Sequence, residues 1–160
     1  MNKLNLDRQI QDLVDGAPSD LGMQQAIVRA VAPVLKAVAS KMQREEYFLV
    51  RGRDRGWLVT TLSNRTQPNL EKRAIYAFPT QGDARGFQKG DRGNLEVEAI
   101  PVTHILFQML ALREVDSVVF MDTPGNFERG TEIHRVNLQE LVSRQLQEGA
   151  RSRGVPPDIA

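Results

Sequence analysis

The residues that most resemble a catalytic motif are Asp-Thr-Pro-Gly at 122–125, directly after the apolar run Val118–Met121. In many GTPases this string follows a strand and contacts magnesium and the γ-phosphate of the nucleotide. Such chemistry also needs a phosphate-binding loop of the type Gly-x-x-x-x-Gly-Lys-Ser/Thr, and no such pattern occurs among the 160 residues. A proline-glycine turn that leaves a strand explains the same residues without a ligand. We therefore interpret 122–125 as a turn and keep a phosphate-ligand enzyme around Asp122 as an alternative.

No other group of side chains has the spacing of a catalytic site. The two histidines, His104 and His134, belong to neither a His-x-x-x-His nor a His-Glu-x-x-His pattern, so zinc-hydrolase chemistry is not indicated. The chain has no cysteine, which excludes disulfides, thiolate zinc sites and a cysteine nucleophile. No serine lies in a Gly-x-Ser-x-Gly elbow. These residue types predict a protein that is not an enzyme and that has no cofactor or metal.

Arginines near aromatic residues form the second chemical signal. Such a mixture is typical of surfaces on which single-stranded nucleic acid stacks. The residues are Arg51, Arg53, Arg55, Arg65 and Trp57. The other interpretation is a hairpin whose aromatic side chains face the core while its arginines are solvated. Because the net charge is only +1 and the RNA-recognition octapeptide is absent, the sequence disfavours nucleic-acid binding and leaves it as an alternative.

Composition indicates a folded chain without a membrane segment. Hydrophobic residues make up 41% and charged residues 26%, the ordinary balance of a single globular domain. The longest stretch with few charges, 30–40, is too short to span a bilayer. Met1–Asp15 alternates charged residues with leucines and lacks the apolar centre of a signal peptide. We therefore expect a cytoplasmic protein with no membrane span.

The first 43 residues are predicted to form a helical N-terminal arm. Apolar residues up to Val14 recur at helical spacing, and a longer second helix carries one apolar stripe. The stripe includes Ile27, Val31, Leu35 and Val38. Pro33 lies inside this helix, so we expect a kink there or two shorter helices. The stripe fits packing on the arm's own domain, on a protein partner, or on a second copy of the chain in a homodimer.

After residue 43 the sequence changes to the period of strands. Apolar runs at 47–50 and 57–61, joined by a glycine-flanked turn, predict a hairpin, and a third strand at 73–78 extends it to an antiparallel meander. Further predicted elements are a helix from Thr80, a strand at 95–100, a helix opened by Pro101, a central strand at 117–121, a strand at 131–136 and a last helix that is capped by Asn137 and ends at Gly149. This order predicts an α+β domain over 44–150, with a mixed or antiparallel sheet and helices packed on it, followed by a mobile tail at 151–160.

Three features of residues 47–148 carry a family resemblance. The first is the pair of short strands that leads to Ala74–Ala84, where a strand enters a short helix containing an alanine. The second is the helix Val102–Leu112, and the third is the strand and turn Val118–Gly125. In this pattern the region is similar to the SseB-like family of small α+β domains.

The chain departs from that family at both signature positions. Pro79 stands before Thr80 where the family strand ends in phenylalanine-threonine, and Asp122–Pro124 replaces a plain asparagine-proline pair. The resemblance implies an α+β fold and no established catalytic residues, so it assigns no site. The absent catalytic patterns and the apolar stripe of the arm favour a non-enzymatic protein-interaction or assembly factor. Its candidate surface comprises the arm stripe and the arginine-rich hairpin.

Overall fold

The chain folds into an α+β structure with helices packed on two sheets, which confirms the predicted fold class. The computed structural model describes residues 3–16, 22–52, 56–63, 66–67, 70–87 and 95–152. Within these residues the elements are α1 (Lys3–Gly16), α2 (Gly22–Ala39), β1 (Glu46–Arg51), β2 (Thr60–Ser63), β3 (Glu71–Ala77), α3 (Gln81–Phe87), β4 (Glu96–Pro101), α4 (Val102–Ala111), β5 (Ser117–Met121), β6 (Gly130–His134) and α5 (Arg135–Ser152). No helix in this part of the chain is long and apolar enough to cross a membrane.

The larger sheet has four strands in the order β2-β3-β5-β6. Its middle pair, β3 and β5, is parallel with Ile75 opposite Val118, and the two outer pairs are antiparallel. Because successive side chains of a strand point to opposite faces, Val118 and Phe120 enter the main core while Val119 and Met121 join a second, smaller cluster. The prediction of a central strand covered on both faces at 117–121 is therefore confirmed.

The smaller sheet corrects the predicted hairpin. β1 pairs with β4, not with β2, over a continuous register from Glu46 opposite Pro101 to Arg51 opposite Glu96. The residues that flank the predicted turn do pair, because the N–H of Leu58 donates to the carbonyl of Val50 at 2.8 Å. The chain then continues into the larger sheet, where β2 pairs with β3 as predicted. β1 thus pairs with β4 along one edge over six residues, while its other edge bonds Leu58 and Phe78.

The two sheets are joined at one point by backbone hydrogen bonds. Phe48 on β1 and Phe78 just after β3 exchange two N–H···O=C bonds of 2.8 and 2.9 Å. The rings of Phe78, Tyr76 and Phe87 pack together beside this junction. Thr80 caps α3 there through its hydroxyl, which accepts the Asp83 N–H at 3.0 Å, as its spacing from Asp83 predicts.

The N-terminal helices pack on the rest of the same chain. α1 and α2 contact each other and α4, and α2 also contacts α5. Leu6 and Leu35 belong to the same buried cluster as Leu106 on α4 and Phe120 on β5. The arm stripe was expected to pack on its own domain, on a protein partner or on a second copy of the chain. In the described residues it packs on its own domain, because α4 and α5 present apolar faces to α2.

Three helix predictions differ from the structure in detail. α2 runs unbroken across Pro33, so of the two expected alternatives, a kink or two shorter helices, the second is wrong. α5 starts at Arg135, where the backbone N–H donates to the Asp116 carbonyl at 2.9 Å, so Asn137 lies inside the helix and does not cap it. α5 also continues past Gly149 to Ser152. The remainder of the predicted tail, 153–160, lies outside the described residues.

Candidate protein-interaction groove

Three helices of the described chain enclose an open groove of about 830 Å³ between α2, α4 and α5. We call this the α2–α4–α5 groove. Eleven residues line it: Ile27, Val31, Phe107, Gln108, Leu110, Ala111, Leu112, Gln139, Val142, Ser143 and Leu146. None of them is acidic, basic or a histidine, so the groove presents an uncharged and largely apolar surface.

Helical periodicity explains why these residues meet in one place. Positions three or four apart lie on one face of a helix, so Ile27 and Val31 come together on α2, and Val142 and Leu146 on α5. α4 contributes Phe107 together with Leu110 and Ala111 by the same spacing. Each wall of the groove is thus one apolar stripe of one helix.

Burial divides the groove into a floor and a rim. Val31 is 3% exposed and belongs to the main core, so it forms the floor. Ile27 on α2 and Leu146 on α5 are each 48% exposed and form part of the rim. A leucine or isoleucine that is half exposed beside a hollow retains apolar surface that a bound molecule can remove from water.

Two further hollows in the described chain are chemically different. The first, about 520 Å³ between α1 and α2, has Asp7, Arg29 and Lys36 in its wall, and Lys36 forms an ion pair with Asp7. The second, about 380 Å³, lies beside Arg44 and is lined by Glu45 and other mainly polar residues. The α2–α4–α5 groove differs from both because its lining carries no charge.

The structure separates the predicted arm stripe into two parts. Ile27 and Val31 line the groove. Leu35 and Val38 are buried in the main core and are not available to a partner in this conformation. The sequence expectation that all four residues form an interaction surface is therefore corrected for Leu35 and Val38, which are buried where α1, α4 and α5 pack against α2.

The arginine-rich hairpin is described only in part. Arg51 forms an ion pair with Glu98 across β1 and β4, and it lies opposite Trp57 in an isolated bridge at the base of the turn. Trp57 is half-buried and packs against the main core, so most of its ring is not offered to a stacked base. The other members of this candidate surface, Arg53, Arg55 and Arg65, lie outside the described residues.

The Asp-Thr-Pro-Gly string forms a turn. The N–H of Asn126 donates to the carbonyl of Thr123 at 3.1 Å, and Gly125 has a φ of +78°, as the third position of a type II turn requires. The N–H of Gly125 also donates to a carboxylate oxygen of Asp83 at 3.0 Å, which ties the turn to α3.

Asp122, at the start of this turn, accepts hydrogen bonds at both carboxylate oxygens. The donors are the hydroxyl of Tyr47 at 2.6 Å and the hydroxyl of Thr131 at 3.3 Å. Burial of the phenol and the neighbouring Asp122 carboxylate together raise the pKa of Tyr47 well above its ordinary value. The carboxylate thus joins β1, β5 and β6 through hydrogen bonds of the protein itself.

The two histidines take part in separate contacts. Nε2 of His104 lies 2.9 Å from the carbonyl oxygen of Gln9, and Nε2 of His134 lies 3.5 Å from a carboxylate oxygen of Glu132.

Partial burial of Glu132 opposes its ionisation, but hydrogen bonds from Lys72 and Ser117 outweigh this effect and lower the pKa of that carboxyl. No cluster of three or more His, Asp or Glu that could hold a metal ion occurs in the described ranges.

Sequence reasoning found part of the groove and missed the rest. The sequence predicts α4 and α5 as helices and Ile27 and Val31 as part of a surface, but it does not indicate that Phe107, Leu112 or Leu146 belongs to the same site. α5 carries more apolar residues than the core buries, since Leu138 is buried while Leu141 and Leu146 stay exposed. This excess of apolar residues on one helix is the signal that could have indicated the groove. Comparison with known proteins adds no residue to this set, since no family model and no curated protein matches the chain.

Proposed function

We propose that this chain is a non-enzymatic, cytoplasmic protein-interaction or assembly factor, and that it binds a different protein through the α2–α4–α5 groove. The observation that carries the proposal is the groove itself, an uncharged hollow whose lining includes half-exposed Ile27 on α2 and Leu146 on α5. Exposed contiguous apolar surface is costly in water and often marks a binding site for a partner.

The chemistry of the lining favours a protein ligand over a phosphate-bearing one. Nucleic acids and nucleotides are held by lysine, arginine or backbone N–H groups that neutralise phosphate, and the groove contributes no cationic side chain. Its polar side chains are the neutral Gln108, Gln139 and Ser143. Such a lining pairs best with apolar side chains surrounded by neutral hydrogen-bonding groups, which is the composition of a protein interface core with its rim.

Only part of the helical arm belongs to the proposed binding surface. α2 contributes Ile27 and Val31 to the groove, while the remainder of its stripe serves the chain's own core. The resemblance to the SseB-like family belongs to the same proposal, because that family supplies no catalytic residue that would compete with a binding role.

A matched pair of substitutions on α5 tests the proposal. Leu146 and Leu141 are 48% and 41% exposed on the same helix, but only Leu146 lines the groove. The tagged full chain and its Leu141→Asp variant are expected to capture the same partner from cells of the native host. Leu146→Asp is expected to lose that partner by roughly tenfold or more, because a charge is buried against apolar walls. Circular dichroism confirms that both variants fold.

Two results would overturn the proposal. One is a capture experiment in which the wild type and Leu146→Asp retain the same proteins, or in which no variant retains any protein. The other comes from sedimentation of the purified chain over a range of concentrations. If the wild type dimerises and Leu146→Asp does not, the groove binds a second copy and not a different protein.

A further inference from the structure

The walls of the groove restrict the backbone conformation of whatever binds there. α2, α4 and α5 are helices, so their backbone N–H and C=O groups are already bonded within each helix. Among the residues that the structure describes, no strand edge lines the groove. An extended peptide would therefore bury its own N–H and C=O groups without partners, whereas a helix bonds these groups internally.

The extent of the groove matches a short segment. Along α5 it runs from Gln139 to Leu146, which corresponds to about 10 Å or two helical turns. Ile27 to Val31 and Phe107 to Ala111 each cover one turn. Stable interfaces between folded proteins use about 20–30 residues on each side, whereas eleven residues line this groove. The groove by itself is thus too small for a homodimer and large enough for one face of a helix.

From these observations we infer that the groove binds an amphipathic α-helix of its partner, an inference that rests on the function proposed above. The bound face carries apolar residues at i, i+3 or i+4, and i+7, a spacing that covers two turns. It carries no charge at these positions, because the lining offers no ion-pair partner. Ile27 of α2 and Leu146 of α5, both half exposed, contact the bound helix together with the other lining residues.

A peptide library tests this inference without knowledge of the natural partner. The probe is a display library of random peptides of about 16 residues, long enough to form helix when bound, selected on the full chain. Enriched peptides are expected to share the i, i+3 or i+4, i+7 apolar pattern and to gain helicity on binding, measured by circular dichroism. Their affinity should fall at least about tenfold for Leu146→Asp and stay unchanged for Leu141→Asp.

The absence of cysteine from the chain allows the site to be located directly. A single cysteine introduced by Ser143→Cys, in the groove, carries a photo-crosslinking group, and Glu148→Cys is the matched position on the same helix outside it. The selected peptides are expected to crosslink from position 143 and not from position 148. Crosslinking from 148 alone, or from both positions equally, overturns the assignment to the groove.

Other outcomes separate this inference from the function on which it rests. Enriched peptides with alternating apolar residues and no helicity would reject the helical partner. If Leu146→Asp still failed to capture the cellular partner and Leu141→Asp still captured it, the proposed interaction role would be supported. Only the inference that the partner binds as a helix would then be rejected. If Leu146→Asp changed neither peptide binding nor capture of the partner, both the helical inference and the proposed function would be rejected.

Discussion

Gln9 on α1 caps the first turn of α4, a helix that begins 93 residues later in the chain. The side-chain oxygen of Gln9 accepts the N–H of Thr103 at 3.1 Å and the hydroxyl of Thr103 at 2.7 Å. The residue at the N-cap position, Pro101, makes no side-chain cap of its own. The Gln9 amide also donates to the carbonyl of Glu45 at 2.8 Å, the same oxygen that accepts the N–H of Val102. These buried contacts fix the N-terminal helix on the domain.

Replacing Gln9 should therefore destabilise the whole chain. Gln9→Ala leaves the N–H and hydroxyl of Thr103 without their acceptor, and loss of a cap in a buried position costs about 1–3 kcal/mol. Urea unfolding measures this loss. Gln11→Ala is the control, since Gln11 is exposed and bonds only locally to Asp15 on the same helix. Equal unfolding midpoints for the two variants would show that the Gln9 contacts contribute nothing measurable.

Burial of the Tyr47 phenol, together with its hydrogen bond to Asp122, predicts a loss of stability at high pH. Folding raises the pKa of Tyr47 above its ordinary value of 10.0, so the folded state keeps the phenol protonated while the unfolded state releases its proton. The resulting stabilisation is fully present below pH 10 and is lost as pH rises above it. Tyr47→Phe should remove this part of the pH dependence, and at neutral pH should cost about 1 kcal/mol for the lost hydrogen bond.

Urea unfolding at about pH 8 and about pH 11 measures this effect. Tyr76→Phe, at the only other tyrosine of the chain, is the control and should retain the full loss of stability between the two pH values. If Tyr47→Phe lost as much stability as the wild type over this interval, the phenol would not be responsible.

Gly130 at the start of β6 should not tolerate a side chain. An added Cβ would lie 2.8 Å from Cγ1 of Val119 and 2.9 Å from the backbone oxygen of Phe120. Backbone atoms of the central strand cannot move aside easily, so we expect Gly130→Ala to cost about 1–3 kcal/mol. Thermal unfolding compares it with Gly86→Ala in α3, where no atom lies within 4 Å of the added Cβ. That control should be stabilised by roughly 0.5–1 kcal/mol, and an unchanged midpoint for Gly130→Ala would contradict the close contact.

Local structure was largely predictable from neighbouring residues. The apolar spacing of Ile27, Val31 and Leu35 predicted α2, and the apolar run 117–121 predicted a buried central strand. The turn around Pro124 and Gly125 followed from residue type alone, since glycine adopts the positive φ that the turn needs. In each case the determining interactions lie within a few positions of one another.

Partners far apart in the chain were not predictable in this way. Nearness in sequence suggested that β1 pairs with the strand after its turn, but its partner is β4, about fifty residues away, and its other edge bonds Phe78. The packing of α1, the cap from Gln9 to Thr103 and the burial of Leu35 depend in the same way on contacts over distance. Helices, strands and turns could be predicted from the order of residues, because they depend on local periodicity. Which apolar stripes are buried in the core depends on contacts between distant elements, and these contacts leave Ile27 and Leu146 at the rim of the groove.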